Sequence, residues 1–324
     1  MRLLVSLFCL LAFSSFLSLT ADAAHASAWD GVYNQRLLMQ RPTPKGDFQK
    51  LVVPVRSVGN LIIVEATIDG LRGNFILDTG APYLVLNATY FRDYEEVPDF
   101  TSTDINGSVQ NQKVARVGKL KINELYYENL EADVSDLSNI ENKRGIKILG
   151  LLGLNLFMRT EMEIDIRAQQ LLIYKVDRKG NRLAFKEVDE ADYSLNFEMY
   201  NNAIIAPGMI NGVELSFCFD TGAEAVLLDN NLPEEVYEVV SIRSRRALIG
   251  AGGGQTEVLY GTLLSLNFMA PLQACQVLVT DLELIGKAYG YQVAGFVGND
   301  LLRQGVVSLN FRKKEMRINR YKGL

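Results

Sequence analysis

Asp78 and Asp220 each open the tetrapeptide Asp-Thr-Gly-Ala, and each is led in by an apolar triplet, Phe75-Ile76-Leu77 in one case and Phe217-Cys218-Phe219 in the other. Alone, Asp-Thr-Gly is a tight turn after a strand, since Asp caps turns and Gly takes backbone angles other residues avoid. Two copies admit chemistry. Carboxyls brought within about 3 Å cannot both ionise readily, so they titrate in two steps and share a proton. The ionised member can draw a proton from water and make it nucleophilic toward a carbonyl carbon, while the protonated member donates to the carbonyl oxygen. In that arrangement the apolar strands carry the acids inward. Thr79 and Thr221 hydrogen-bond main-chain groups across the join, Gly80 and Gly222 let an amide approach the carboxylate, and Ala81 and Ala223 add no further hydroxyl.

Other chemistries have few residues to work with. The one histidine, His25, lies in a segment that reads as a secretory signal peptide: Met1-Arg2, an apolar run from Leu3 to Phe13, then small residues with Ala24-His25-Ala26 as the cleavage site. The run is too short to span a bilayer as an anchor and is followed by serines. Export of residues 27–324 leaves no histidine, which excludes Ser-His-Asp and Cys-His mechanisms and histidine metal ligands. Cys218 and Cys275 are too few for a cysteine-built metal site, so a hydrolase here must use carboxylates or lysines. No cofactor is implied. The formal charge of −5 survives loss of Arg2 and Asp22 together and argues against a nucleic-acid partner; the basic cluster Arg243 to Arg246 reads as a solvated loop.

For the two acids to meet, the elements carrying them must be related, and the chain is a duplication. At an offset of 142, residues 68–87 (IDGLRGNFILDTGAPYLVLN) fall on residues 210–229 (INGVELSFCFDTGAEAVLLD). Farther on the offset is 145, as after a three-residue loop insertion: VSDL (134–137) meets VTDL (279–282), and GLLGLNLF (150–157) meets GFVGNDLL (295–302). Both copies are rich in short β-branched and alternating stretches bounded by Gly, Asn and Asp, with one candidate short helix at 229–240. The expected fold is all-β: two tandem closed β lobes related by internal duplication, with a cleft between them. The expected domains are 27–186, with an extension over 27–50, and 187–324, joined by an exposed charged link over 174–195.

With these residues in place, the chain resembles aspartic peptidases of the retropepsin and pepsin type, in particular exported bacterial proteins with two fused retropepsin-like lobes. The resemblance rests in each half on the apolar-strand-DTGA signature, on a hairpin region at 105–122 or 249–266 that would form a flap, and on the later Leu151-Leu152-Gly153 or Phe296-Val297-Gly298. It implies that Asp78 and Asp220 are the catalytic pair, that Thr79 and Thr221 lock their loops together, and that the substrate is a polypeptide. Gly252, Gly253 and Gly254 would form a flap tip over it. It implies a monomer without cofactor, and, from DTGA in both halves, an optimum less acidic than pepsin's. The lobe-one flap lacks the tyrosine of pepsin-like enzymes, so capping of the substrate must differ.

Alternatives stay open at this stage. A duplicated scaffold can keep its turns while serving as a non-catalytic peptide-binding or regulatory protein, or as a processing protease with one dedicated substrate. Asp136 and Asp281 also match across the repeat but read as turn caps. Cys218 and Cys275 have apolar counterparts, Ile76 and Leu130, which favours a core setting; in an exported protein a disulfide is the competing outcome.

Overall fold

Asp69-Gly70 and Asn211-Gly212 take positive φ at both positions, which is the backbone of two-residue hairpin turns. They join strands Leu61–Ile68 to Leu71–Leu77 and Ala203–Ile210 to Val213–Phe219. From these hairpins each half builds the same ring. The computed structural model describes residues 42–94, 96–103, 109–183, 190–249 and 255–323. The leader, most of the 27–50 extension and residues 184–189 of the link therefore lie outside the described residues.

In the first half the order is Leu61–Ile68, Leu71–Leu77, Gly150–Leu152, Val85–Asn87, Leu125–Ser135 and Val109–Ile122, closed by pairing of Thr67 with Lys121. In the second it is Ala203–Ile210, Val213–Phe219, Gly295–Val297, Val226–Asp229, Ala270–Thr280 and Gln255–Phe268, closed by Met209 against Asn267. The all-β expectation holds, and every ring strand has its counterpart at an offset of 141 to 146.

Continuous with the first ring, through pairing of Lys50–Val58 with Leu61–Ile68, is a shared layer of strands contributed by both halves in the order Tyr193–Asn196, Glu315–Arg320, Gly305–Asn310, Thr160–Asp165, Gln170–Lys175 and Lys50–Val58. The halves meet where Thr160–Asp165 pairs antiparallel with Gly305–Asn310, Met162 opposite Leu309 and Ile164 opposite Val307. Alternation of apolar and polar residues fixes that register, because a one-residue slip would turn Met162, Ile164, Val307 and Leu309 out of the core.

One large core runs through both halves, with a smaller satellite cluster in each. The first satellite includes Ile76, Ala81, Leu137, Ile140 and Leu151; the second holds their counterparts Cys218, Ala223, Leu282, Ile285 and Phe296. Each satellite is capped by a seven-residue helix, Ser138–Arg144 or Glu283–Tyr289, that closes on a left-handed glycine, Gly145 or Gly290.

Three expectations need correction. The link is not simply exposed: Tyr174 is buried in the shared layer and Arg182 is drawn in by ion pairs to Glu161 and Glu163. Residues 243–246 are not a loop but part of the edge strand Val240–Ile249, where Arg245 pairs with Glu257 across the hairpin. The helix expected over 229–240 is one turn, Glu234–Tyr237, with strands on either side. Cys218 and Cys275 are buried free thiols, and neither forms a disulfide.

Candidate active site

Leu71–Leu77 and Val213–Phe219 end at Asp78 and Asp220, deep inside the molecule: each acid is 1% exposed. Each loop is held first by its own half. Asp78 N donates to Leu152 O at 3.1 Å and Asp220 N donates to Val297 O at 2.9 Å, tying the loop to a parallel strand, Gly150–Leu152 or Gly295–Val297. Glycine is required just after that strand. A Cβ on Gly153 would strike the carbonyl of Tyr83, and one on Gly298 the carbonyl of Asp220.

The loops are then held by one another. Thr79 N donates to Thr221 Oγ1 at 3.0 Å and Thr221 N to Thr79 Oγ1 at 2.9 Å. Their hydroxyls donate across the join to Phe219 O and Leu77 O, at 3.2 and 2.8 Å. Gly80 N lies 3.0 Å from both Asp78 Oδ1 and Asp220 Oδ1, so a single N–H serves the two carboxyls. Ala81 N donates to Asp78 Oδ1 at 3.1 Å and Gly222 N to Asp220 Oδ1 at 2.7 Å. A side chain on Gly80 would put its Cβ 2.5 Å from Asp220 Cγ, so the residue must be glycine for the carboxyls to face each other.

Burial, the Asp220 charge and a hydrogen bond shared with Asp220 hold the Asp78 carboxyl well above the usual carboxylate range, against the Ala81 and Gly80 N–H groups. A neutral and a charged carboxyl side by side in a buried site can give and take protons at one bound group.

Residues 64–156 match the family model described as aspartyl protease. The matched stretch lies in the first half and includes Asp78-Thr79-Gly80-Ala81 and Leu151-Leu152-Gly153. No curated protein matches the chain.

Of the other singled-out residues, Asp136 and Asp281 sit just ahead of two short helices, where each Oδ1 accepts from the amide two residues on, Ser138 N at 2.9 Å or Glu283 N at 2.8 Å. The candidate flaps are the hairpins Glu96–Thr103 with Val109–Ile122, and Val240–Ile249 with Gln255–Phe268. Gly252, Gly253 and Gly254 lie outside the described residues. Sequence reasoning missed the side chains that reach between halves. Arg144 pairs with Glu224, Asn60 N and Nδ2 donate to Glu224, and Tyr289 OH donates to Gly80 O at 3.5 Å. Only the matched asparagines, Asn60 and Asn202, left a trace in the repeat.

Proposed function

We propose that the chain is an aspartic endopeptidase that hydrolyses peptide bonds with water activated between Asp78 and Asp220. The observation that carries this reading is the Gly80 N–H lying 3.0 Å from an oxygen of each carboxyl, which requires the acids to sit side by side. In the proposed reaction the two carboxyls share one proton, held at Asp78. Water loses a proton to the Asp220 carboxylate as its oxygen bonds to the scissile carbonyl carbon. Asp78 gives its proton to the carbonyl oxygen. The tetrahedral intermediate then breaks its C–N bond as a proton passes to the leaving nitrogen, and the carboxyls end with one proton between them again. Thr79, Gly80, Ala81, Thr221, Gly222 and Ala223 hold the geometry.

The same proposal takes the protein as two-lobed and exported through residues 1–26, acting as a monomer on extended polypeptide bound between the lobes beneath the flaps. One chain supplies both aspartates, so no second copy is needed. The test is cleavage of an unbiased peptide library over about pH 3 to 8 by the wild type, Asp78→Asn and Asp220→Asn. Cuts that vanish in both variants support the reading. Cuts that persist in either single variant overturn the dyad, and peptide binding without turnover would make the chain a binding module.

A further inference from the structure

Glu224 follows Ala223 directly and reaches into the first half. Its carboxylate accepts from Arg144 Nη2 at the end of helix Ser138–Arg144 and from Asn60 N at 3.3 Å. Its carbonyl accepts from Asn60 Nδ2 at 3.0 Å, and Arg303 donates to Asn60 Oδ1 at 2.7 Å. Both charged side chains are nearly out of solvent, Arg144 at 13% and Glu224 at 6% exposure. Gly59, with φ +63°, makes the room, since a Cβ there would run into the Arg144 guanidinium.

The repeat supplies an internal control. Asn202 stands where Asn60 does, Pro82 where Glu224 does, and Tyr289 where Arg144 does. Asn202 Nδ2 donates to Pro82 O at 3.5 Å, so the main-chain part of the arrangement recurs. Its ionic part does not, because proline has no carboxylate and tyrosine no guanidinium.

We propose that Arg144 and Glu224 are positioning residues, a one-sided ionic strut that holds the Asp220 loop in register against Asp78. The inference rests on the peptidase reading of the same site. The threonine bonds and the two asparagine side chains tie both aspartate loops, and on the Asp78 side Tyr289 OH adds only a neutral bond to Gly80 O at 3.5 Å, whereas the ionic strut acts on the Asp220 loop alone. Placement at this level controls rate, since a misplacement of about 1 Å can cost about a hundredfold. Burial holds the Glu224 carboxyl above its ordinary range, against Arg144 and Asn60. Removing Arg144 therefore leaves a group that takes up a proton, not a stranded charge that unfolds the chain.

The test combines amide hydrogen exchange with peptidase kinetics on Arg144→Met, Glu224→Gln and Arg144→Lys. Exchange in peptides covering 219–228 is expected to rise while those covering 77–86 stay unchanged. kcat should fall roughly ten- to a hundredfold with KM within about twofold. Arg144→Lys, which keeps the charge and the fold, should recover part of both effects. Exchange rising equally in both loops, or in neither, overturns the strut, as does an unchanged kcat beside an active wild type. If the wild type cleaves nothing, the exchange still decides the strut and only the peptidase reading falls.

Discussion

Thr79 and Thr221 hold each other reciprocally: each amide donates to the other's hydroxyl, and each hydroxyl donates to the carbonyl just ahead of the other's aspartate. Four bonds thus cross the join within two residues of the acids. Thr→Ala at either position removes two of them and strands buried main-chain groups. The expected loss is about 3 kcal/mol in denaturant unfolding, with Thr→Ser recovering most of it. Equal stability of Thr79→Ala and wild type would show that the loops are held by other means.

Asp78→Asn should abolish cleavage and stabilise the fold near neutral pH. The folded protein holds the Asp78 proton more tightly than the unfolded chain does. Stability from that protonated form is complete below the unfolded carboxylate range and is lost as pH rises through the folded value. Melting midpoints should therefore stand higher for the variant at pH 7 and converge with wild type as pH falls. A variant that melts lower at pH 7 would contradict this.

Glu161 has the opposite sign. Burial works against its charge, but Arg182, Arg317 and Ser308 outweigh it and hold its carboxyl below the usual range. Asn310 Nδ2 also donates to it, at 2.8 Å. Its contribution is present above the unfolded carboxylate value and disappears as pH falls through the folded one. Glu161→Gln leaves Arg182 with Glu163 alone and Arg317 with only a longer contact to Glu315, and should cost about 3 kcal/mol at pH 7. Urea titrations at pH 7 and about pH 3 should show that gap narrowing in acid; a gap independent of pH would count against the assignment.

Glycine substitutions should separate by contact. Gly153→Ala and Gly298→Ala drive a methyl into a carbonyl and should destabilise by about 2 kcal/mol or more, Gly298→Ala also impairing Asp220. Gly286 lies inside helix Glu283–Tyr289, and its Cβ would meet nothing closer than 3.4 Å. Gly286→Ala should stabilise by up to about 1 kcal/mol, read from the same unfolding curves.

The thiols give a simpler check. Burial pushes Cys275 up to about 12 and Cys218 well above the ordinary thiol range. Folded protein at pH 8 should resist iodoacetamide at both and react at both once unfolded, counted by mass spectrometry.

The fold class was legible because it lives in local patterns. Strands alternate, and turns such as Asp69-Gly70 demand residues tolerant of positive φ, so a duplicated sequence shows duplicated strands. Ser138–Arg144 and Glu283–Tyr289 escaped because seven residues give too little helical periodicity. Asp136 and Asp281 ahead of them, with Gly145 and Gly290 behind, were the available signal. The link misled because its charges look solvated, whereas Arg182 reaches a buried Glu161 across the shared layer. At the candidate site the letters set Asp78 and Asp220 at matching positions. They carry no sign that one amide serves both, or that Arg144 meets Glu224, because such pairs depend on how the halves dock.

The pairing of Thr160–Asp165 with Gly305–Asn310 is self-complementary. Val307 is the repeat counterpart of Met162 and Leu309 that of Ile164, yet Met162 faces Leu309 and Ile164 faces Val307. Such an edge is isologous, the kind that joins identical subunits about a twofold axis. A fragment ending near residue 183 would carry that edge unpaired and is expected to form a homodimer, which sedimentation would register. Fusion then allows what a homodimer cannot have. The Glu161 cluster draws Arg182 from the link and Arg317 from the second half, and the position matching Glu161 is Val306. In a single chain the two sides of that near-twofold edge carry different charges.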